Sequence, residues 1–270
     1  MHDEELAKLV NRSGFLFQLA VEDHVRAGKS QHDWDVVARE YPWATADRAR
    51  SGFIDFVAER DTLRCVFECK RTQSGEWVFL IPGDAAETVQ LRTLWSIVGQ
   101  NGKSGWGWGD WVFHPQTLRS EFCIVRGASD DDKPMLERIA GDLVRAAESL
   151  AREELAMPNR DYGVYGYMPV VVTNAKLYAC RVDTTQVDLT TGSLPSAARF
   201  EEVKAIRFRK AFATDLAHAP ETYETIKRGL LAKERSVFVV NVNGLSDWLG
   251  SVKETSRPIA MQPPWAHLLR

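Results

Sequence analysis

The chain is poor in cysteine, with four in 270 residues. A chain of this length can bury a core without covalent staples, so a disulfide framework is excluded. Cys65 and Cys69 lie four apart, but no cysteine or histidine stands near them at zinc-site spacing. They read as small apolar residues of a core strand. No apolar run approaches the roughly 20 residues needed to cross a bilayer. The start, Met1-His2-Asp3-Glu4-Glu5, is acidic and has no apolar signal core. A cytoplasmic protein without a membrane partner is the expectation. Strong charge of either sign is also missing. The formal net charge of −3 gives no global pull toward nucleic acid, so any phosphate-binding surface has to be local. There is no Walker loop, no G-x-G-x-x-G, no G-x-S-x-G and no internal repeat. His24, His32, His114 and His218 have no partners at catalytic spacing.

What is present is an ordinary globular composition, 44% hydrophobic and 26% charged. Leu6, Leu9, Val10, Phe17, Val21 and Val25 recur at helical spacing and predict a helix over 4–27. Gly14 inside it suggests close packing against another backbone, and Gly28 is its stop. Residues 34–43 read as extended. Gly52–Ala58 and Leu63–Lys70 read as two strands joined by Glu59-Arg60-Asp61-Thr62, a β-hairpin. Trp77–Ile81 is a further strand, 84–98 a helix, and Gln100–Trp111 a Gly/Trp-rich loop. A strand at 122–125, a strong helix at 133–156 and a hairpin of 168–173 with 177–182 around Asn174-Ala175 come next. Strands near 203–210 and 237–242, a short helix at 245–252 and an irregular Pro-rich tail from Pro258 complete the chain.

The first hairpin carries an unusual charge pattern. Side chains alternate along a strand, so Glu68 and Lys70 share one face while Phe67 and Cys69 share the other. Asp55 lies on the partner strand near cross-strand register with Glu68. Otherwise the strand Val66-Phe67-Glu68-Cys69 has a buried composition. An unpaired carboxylate there is costly, and two carboxylates together repel unless a cation neutralises them. Mg²⁺ or Mn²⁺, hard ions with oxygen ligands, fit that need. The lysine two residues on would act beside the ion, on a nucleophile or a phosphate.

Ile54-Asp55, a spacer and Val66-Phe67-Glu68-Cys69-Lys70 resemble the D-(X)n-(D/E)-X-K signature of the PD-(D/E)XK, or restriction-endonuclease-like, nucleases. The helix with Ser13-Gly14-Phe15 resembles the first helix of bacterial members. The resemblance implies an α/β fold, an α+β mixed sheet with an α-β-β-β-α-β core. It also implies metal-dependent phosphodiester hydrolysis, with Asp55 and Glu68 as metal ligands, Lys70 as the catalytic lysine and the Cys69 backbone carbonyl completing the coordination. Residues 1–182 would form the core, 82–132 a long insertion and 183–270 a C-terminal elaboration. Many members carry a glutamate on the first helix. Gln18 stands at that place here; either Glu22 or Glu40 would replace it, or the site would use one well-held ion.

Other features divide between two readings. Arg207 and Arg209 give a strand a basic face that would grip phosphates or simply be solvated. Arg48, Arg50 and Arg71 flank the proposed site and have the better claim. Trp106, Trp108 and Trp111 would stack on bases or, the preferred reading, anchor the insertion against the core. Asp130-Asp131-Asp132 supplies the N-terminal charge of the helix that follows. The expected function is a divalent-metal-dependent DNA endonuclease, with defence against foreign DNA as a role and a homodimer or a partner protein of a defence system as its context. The alternative is a catalytically silent nuclease-fold module that binds nucleic acid or assembles with partners.

Overall fold

The computed structural model describes residues 2–72, 75–83, 88–99, 104–125, 135–157, 161–214, 216 and 224–256. The helical start is two helices, α1 (His2–Arg12) and α2 (Phe15–Ala27), broken at Ser13-Gly14. A methyl group at Gly14 would meet nothing within 4 Å, so the glycine marks a break and not the expected close approach. The short α3 (Lys29–His32) leads into β1 (Asp35–Ala44), β2 (Ser51–Arg60) and β3 (Leu63–Lys70), an antiparallel run. A helix of 21 residues, α4 (Met135–Leu155), precedes β9 (Gly163–Thr173), which lies parallel to β3.

Between β3 and α4 the chain adds β4 (Glu76–Pro82), β5 (Thr88–Val98), β6 (Ser104–Thr117), β7 (Arg119–Ser120) and β8 (Phe122–Val125). After β9 come β10 (Lys176–Val182), β11 (Arg199–Val203), β12 (Ala205–Ala211), α5 (Ile226–Lys233), β13 (Glu234–Asn241), α6 (Leu245–Ser251) and β14 (Lys253–Ser256). The fold is mixed α/β. One mixed sheet runs β1-β2-β3-β9-β13-β12-β7, with β5, β6 and β14 joined to it, and a smaller sheet runs β11-β10-β4-β8. Residues from both the middle and the C-terminal third are therefore woven into the main sheet.

Three expectations change. Residues 84–98 contain a strand, β5, instead of a helix. Leu91, Leu94, Trp95 and Val98 do recur at helical spacing, but β5 is wedged between β6 and β9, and Leu91 through Ile97 are mostly buried on both faces. Thr93, Ile97 and Val98 are β-branched and suit that setting. The Gly/Trp run is likewise a strand, β6. Gly107 makes room for an aromatic ring, since a methyl there would stand 3.2 Å from the Trp95 ring. Finally, β9 and β10 do not form a hairpin. At Asn174-Ala175 the chain leaves one sheet for the other, where β10 pairs in parallel with β4.

Each face of the main sheet has its own core. Ile54, Val57 and Val66 pack under α4 with Leu136, Leu143, Ala147 and Leu150. Phe56, Cys65, Phe67 and Cys69 pack beneath α2 and α6 with Val21, Val25 and Leu249. The centre of the sheet is β9, buried from Val164 to Thr173, as a strand covered on both faces should be. Its Pro169, which offers no N–H, sits where the partner on one side changes from β5 to β13.

Candidate active site

The decisive local feature is a fork. Strand β2 stays paired with β1 as far as Ala44↔Ser51, and β3 stays paired with β9 as far as Lys70↔Thr173. The ladder between β2 and β3, however, ends at Phe56↔Phe67, whose rings stack with centroids 4.3 Å apart. Asp55 and Glu68 are the first residues beyond that closed end. The main-chain N–H of Cys69 loses its strand partner at the fork and donates instead to Asp55 Oδ2 at 2.6 Å. A buried N–H without a partner is costly, so the aspartate holds the fork open while satisfying it.

Glu68 and Lys70 point into the fork together, and Lys70 Nζ lies 2.6 Å from Glu68 Oε1. Burial pushes the Asp55 pKa up, and repulsion from Glu68 and Glu40 adds to it. The Cys69 N–H and Lys70 oppose the rise without cancelling it, and the carboxyl is pushed up to about 7. Burial works to lower the Lys70 pKa, but the Glu68 carboxylate beside it wins and the net shift is upward. The ammonium is held charged.

The register of β1 on β2, Arg39↔Phe56 and Tyr41↔Ile54, sets Glu40 opposite Asp55. Glu40 has a left-handed backbone, φ 49°. Gln18 donates its amide to Glu40 Oε1 and, at 3.4 Å, to the Asp55 carbonyl. Gln18, on α2, thus ties Glu40 to Asp55. Glu22 does not join them. It is fully buried and gripped by Arg26 and Arg39, with Arg26 Nη2 at 2.8 Å. Burial works to raise its pKa, but hydrogen bonds and charge from the two arginines prevail and lower it. Of the two candidate replacements for a first-helix glutamate, one belongs to the cluster and the other is a closed ion pair.

The fork opens onto a cleft of ≈ 420 Å³ between β2 and α4. Glu68 and Lys70 line one side, Phe53 and Trp43 another, and Met135, Arg138, Ile139, Asp142, Leu143 and Ala146 of α4 the third. The α4 residues recur at three- and four-residue spacing, so this wall could have been read as one helix face from the sequence. What the sequence hides is which strand end that face covers.

The flanking cations separate sharply. Arg50 reaches Asp142 at 3.1 Å on the cleft rim, and Arg48 is exposed in the same β1–β2 turn. Arg71 is exposed and donates to the Asn11 carbonyl. The three basic residues of β12, Arg207, Arg209 and Lys210, are each engaged by protein groups, Lys210 by Glu137. Arg207 is 1% exposed, donates to the carbonyls of Gln90 and Thr117, and has its pKa pushed down to about 10 by burial. Arg209 pairs with Glu234. Arg207 is closed off from a phosphate, while Arg209 and Lys210 are partly exposed but each paired with a glutamate. The tryptophans are core residues: Trp111 is fully buried, and Trp108 Nε1 donates to Glu148 Oε1 at 2.8 Å beneath Arg235. Asp130-Asp131-Asp132 and His218 lie outside the described residues.

No family model, no curated protein and no solved structure matches this chain. Its chemistry has to be argued from these residues. Among the described residues no three His, Cys, Asp or Glu side chains form a ready metal cluster. Two neighbouring carboxylates beside a main-chain carbonyl is a smaller donor set; Glu68 is paired with Lys70, and the Asp55 carboxyl is raised first by burial and then by the Glu68 charge. Hard oxygen donors fit a divalent ion such as Mg²⁺ or Mn²⁺. Among the described residues, no helix is long and apolar enough to cross a membrane.

Proposed function

We propose that this protein is a divalent-metal-dependent nuclease with a restriction-endonuclease-like core, hydrolysing phosphodiester bonds of nucleic acid at the β2–β3 fork. One observation carries the reading. The residues Asp55, Glu68 and Lys70 meet where β2 parts from β3, with the Asp55 carboxyl bound to the Cys69 N–H and its ionisation suppressed by burial and then by neighbouring acids. A structural carboxylate is held by cations, as Glu22 is. This one is held at a mouth beside a lysine.

In this reading Asp55, Glu68 and the Cys69 carbonyl hold Mg²⁺ or Mn²⁺. When bound, such an ion supplies Lewis acidity toward a phosphate and a more acidic water. The chain's own groups do the rest. Asp55 is fixed by the Cys69 N–H through Oδ2, which leaves Oδ1 as the oxygen that would meet an ion. Lys70, kept protonated by Glu68, places a positive charge beside the phosphate, where negative charge builds during in-line attack. Arg138 and Arg50 on the rim are placed to steer the backbone. The order α2, β1, β2, β3, α4, β9, with β9 parallel to β3, is compatible with the core that this family requires. DNA as the substrate and defence as the role remain parts of the proposal.

A specific contact favours a second reading, a silent nucleic-acid-binding module. Lys70 already neutralises Glu68 at 2.6 Å, as a retired site would arrange it. The deciding experiment incubates purified protein with plasmid, linear duplex, single-stranded DNA and RNA, with Mg²⁺, Mn²⁺ or EDTA. Metal-dependent cutting lost in Asp55→Ala and Lys70→Ala is expected. Binding with intact substrate in every metal would select the silent module, and cutting that survives both substitutions would remove the site assignment.

A further inference from the structure

The cleft at the fork has a shape and a lining that hydrolysis alone does not explain. Its floor is apolar: Trp43, Leu143 and Ile139 are buried at 7%, 3% and 8% exposure, and Ala146 at 2%. Gly52 makes the floor flat, because a side chain there would press on the Trp43 ring at 3.1 Å. At the lip stands Phe53, an aromatic ring 61% exposed. Exposed apolar residues are common singly, but this one lines the cleft that holds Glu68 and Lys70. Facing it across the cleft, on α4, is the exposed Arg138.

We infer that this cleft receives one unpaired nucleotide next to the scissile phosphate, so that the substrate is single-stranded, frayed or flipped nucleic acid instead of an intact duplex. Its volume, ≈ 420 Å³, lies within the range of small-ligand sites and suits one nucleotide. An apolar floor with an aromatic lip is the surface on which a base stacks, and every base has a π-face, so such a platform is tolerant of sequence. The wall carries two cations and two acids: Lys70 is paired with Glu68 and Asp142 with Arg50, which leaves the exposed Arg138 to take a phosphate beside the base. Intact duplex would first have to surrender a nucleotide, at a cost of a few kcal/mol. Trp43, Phe53 and Arg138 would be binding residues that select the substrate. The location of the reacting phosphate rests on the hydrolytic reading; the stacking platform does not.

The test separates the two. Full-length protein in EDTA is titrated into a 2-aminopurine-labelled single strand, in DNA and RNA forms, and into the same DNA sequence as a closed hairpin duplex. Quenching of the probe and tighter binding of the single strands are expected. Phe53→Ala should weaken that binding roughly five- to a hundred-fold, the effect of one lost base stack, and Phe53→Trp should restore it. Arg138→Ala should weaken it and reduce its salt dependence by about one charge. Because Phe53 and Arg138 are exposed, neither change threatens the fold. Phe53-dependent quenching without cleavage in any metal would leave the stacking site and overturn the nuclease. Lys70-dependent cleavage of closed duplex and single strand at equal rates, indifferent to Phe53→Ala, would overturn the stacking site and leave the nuclease. Failure of every oligonucleotide to bind would overturn the inference outright.

Discussion

Two carboxylates lie within reach of β1, and they are held in opposite ways. Glu22 sits between α2 and β1 with two arginines on it, and its pKa is lowered. Asp55 sits one strand over with a main-chain N–H, two other acids and a single lysine, and its pKa is raised to about 7. Glu22 is fully buried on α2, and Asp55 is partly buried on β2. The difference is the number of positive charges that the chain itself provides. A site completed by its own cations is structure, whereas a site short of one leaves room for a ligand that brings it.

The largest effects should break the comparison at its functional end. Asp55→Ala and Lys70→Ala should each lower the initial cleavage rate by about 100- to 10,000-fold, the range of a lost charged group at a proton-transfer or charge-stabilising position. Asp55→Asn should leave urea stability at neutral pH unchanged or raised, since an uncompensated charge is removed. A large loss of stability instead would make Asp55 as structural as Glu22.

Next in size is the other half of the pair. Glu22→Ala strips the shared carboxylate from Arg26 and Arg39 and should cost about 3 kcal/mol in urea unfolding. That is the low end for breaking a buried ion pair, because both arginines are about half exposed. Cleavage per folded molecule should change little. Equal loss of stability from Glu22→Ala and Asp55→Ala would erase the distinction drawn here.

The two carboxylates should also tilt stability with pH in opposite directions. Asp55 ionises near 3.8 when unfolded and near 7 when folded, so the metal-free native state binds the extra proton between those values. Its contribution is full below 3.8 and is lost as pH rises through about 7. Glu22, lowered from 4.5, contributes above that value and loses its contribution as pH falls through the depressed one. Asp55→Asn should therefore raise the melting temperature at about pH 8 and not at about pH 4. Mn²⁺ should do the same to the native protein, by about 2.7 kcal/mol at a hundred times its Kd, and should do nothing to Asp55→Asn. A melting curve indifferent to Mn²⁺ in both proteins would count against a metal at the fork.

How much of this was legible in the sequence follows the range of the interactions. The strands β2 and β3, the helix α4 and the grouping of Asp55, Glu68 and Lys70 depend on alternation and short connections, which the chain order displays. Strand β5 was hidden because its helical-looking apolar spacing reflects burial between β6 and β9, partners far along the chain. Arg207 was misread for the same reason: alternation shows that it faces one side of β12, but only the sheet shows that this side is closed by the Gln90 and Thr117 carbonyls. The division of roles between Glu22 and Glu40 turns on Arg39 and on one left-handed residue, and neither leaves a pattern to read.

The finest test of the comparison is Glu40→Gln, where the smallest effect is expected. Glu40 touches neither Lys70 nor Cys69 in the contacts described above. It acts on Asp55 through charge, and it is the last and weakest of the influences on that carboxyl. Removing its charge should lower the Asp55 pKa without reaching the ordinary value, because burial and Glu68 both remain. The stability-against-pH curve of the metal-free protein should keep its shape and move its upper limb toward lower pH. Gln18 retains an acceptor in the new amide, so the tether from the first helix can persist. Cleavage should fall less than tenfold, since a charge deeper in the fork still draws the ion. If Glu40→Gln instead abolished metal-dependent stabilisation as fully as Asp55→Asn, Glu40 would be a ligand and not a neighbour. The acid missing from the first helix would then have been supplied by β1.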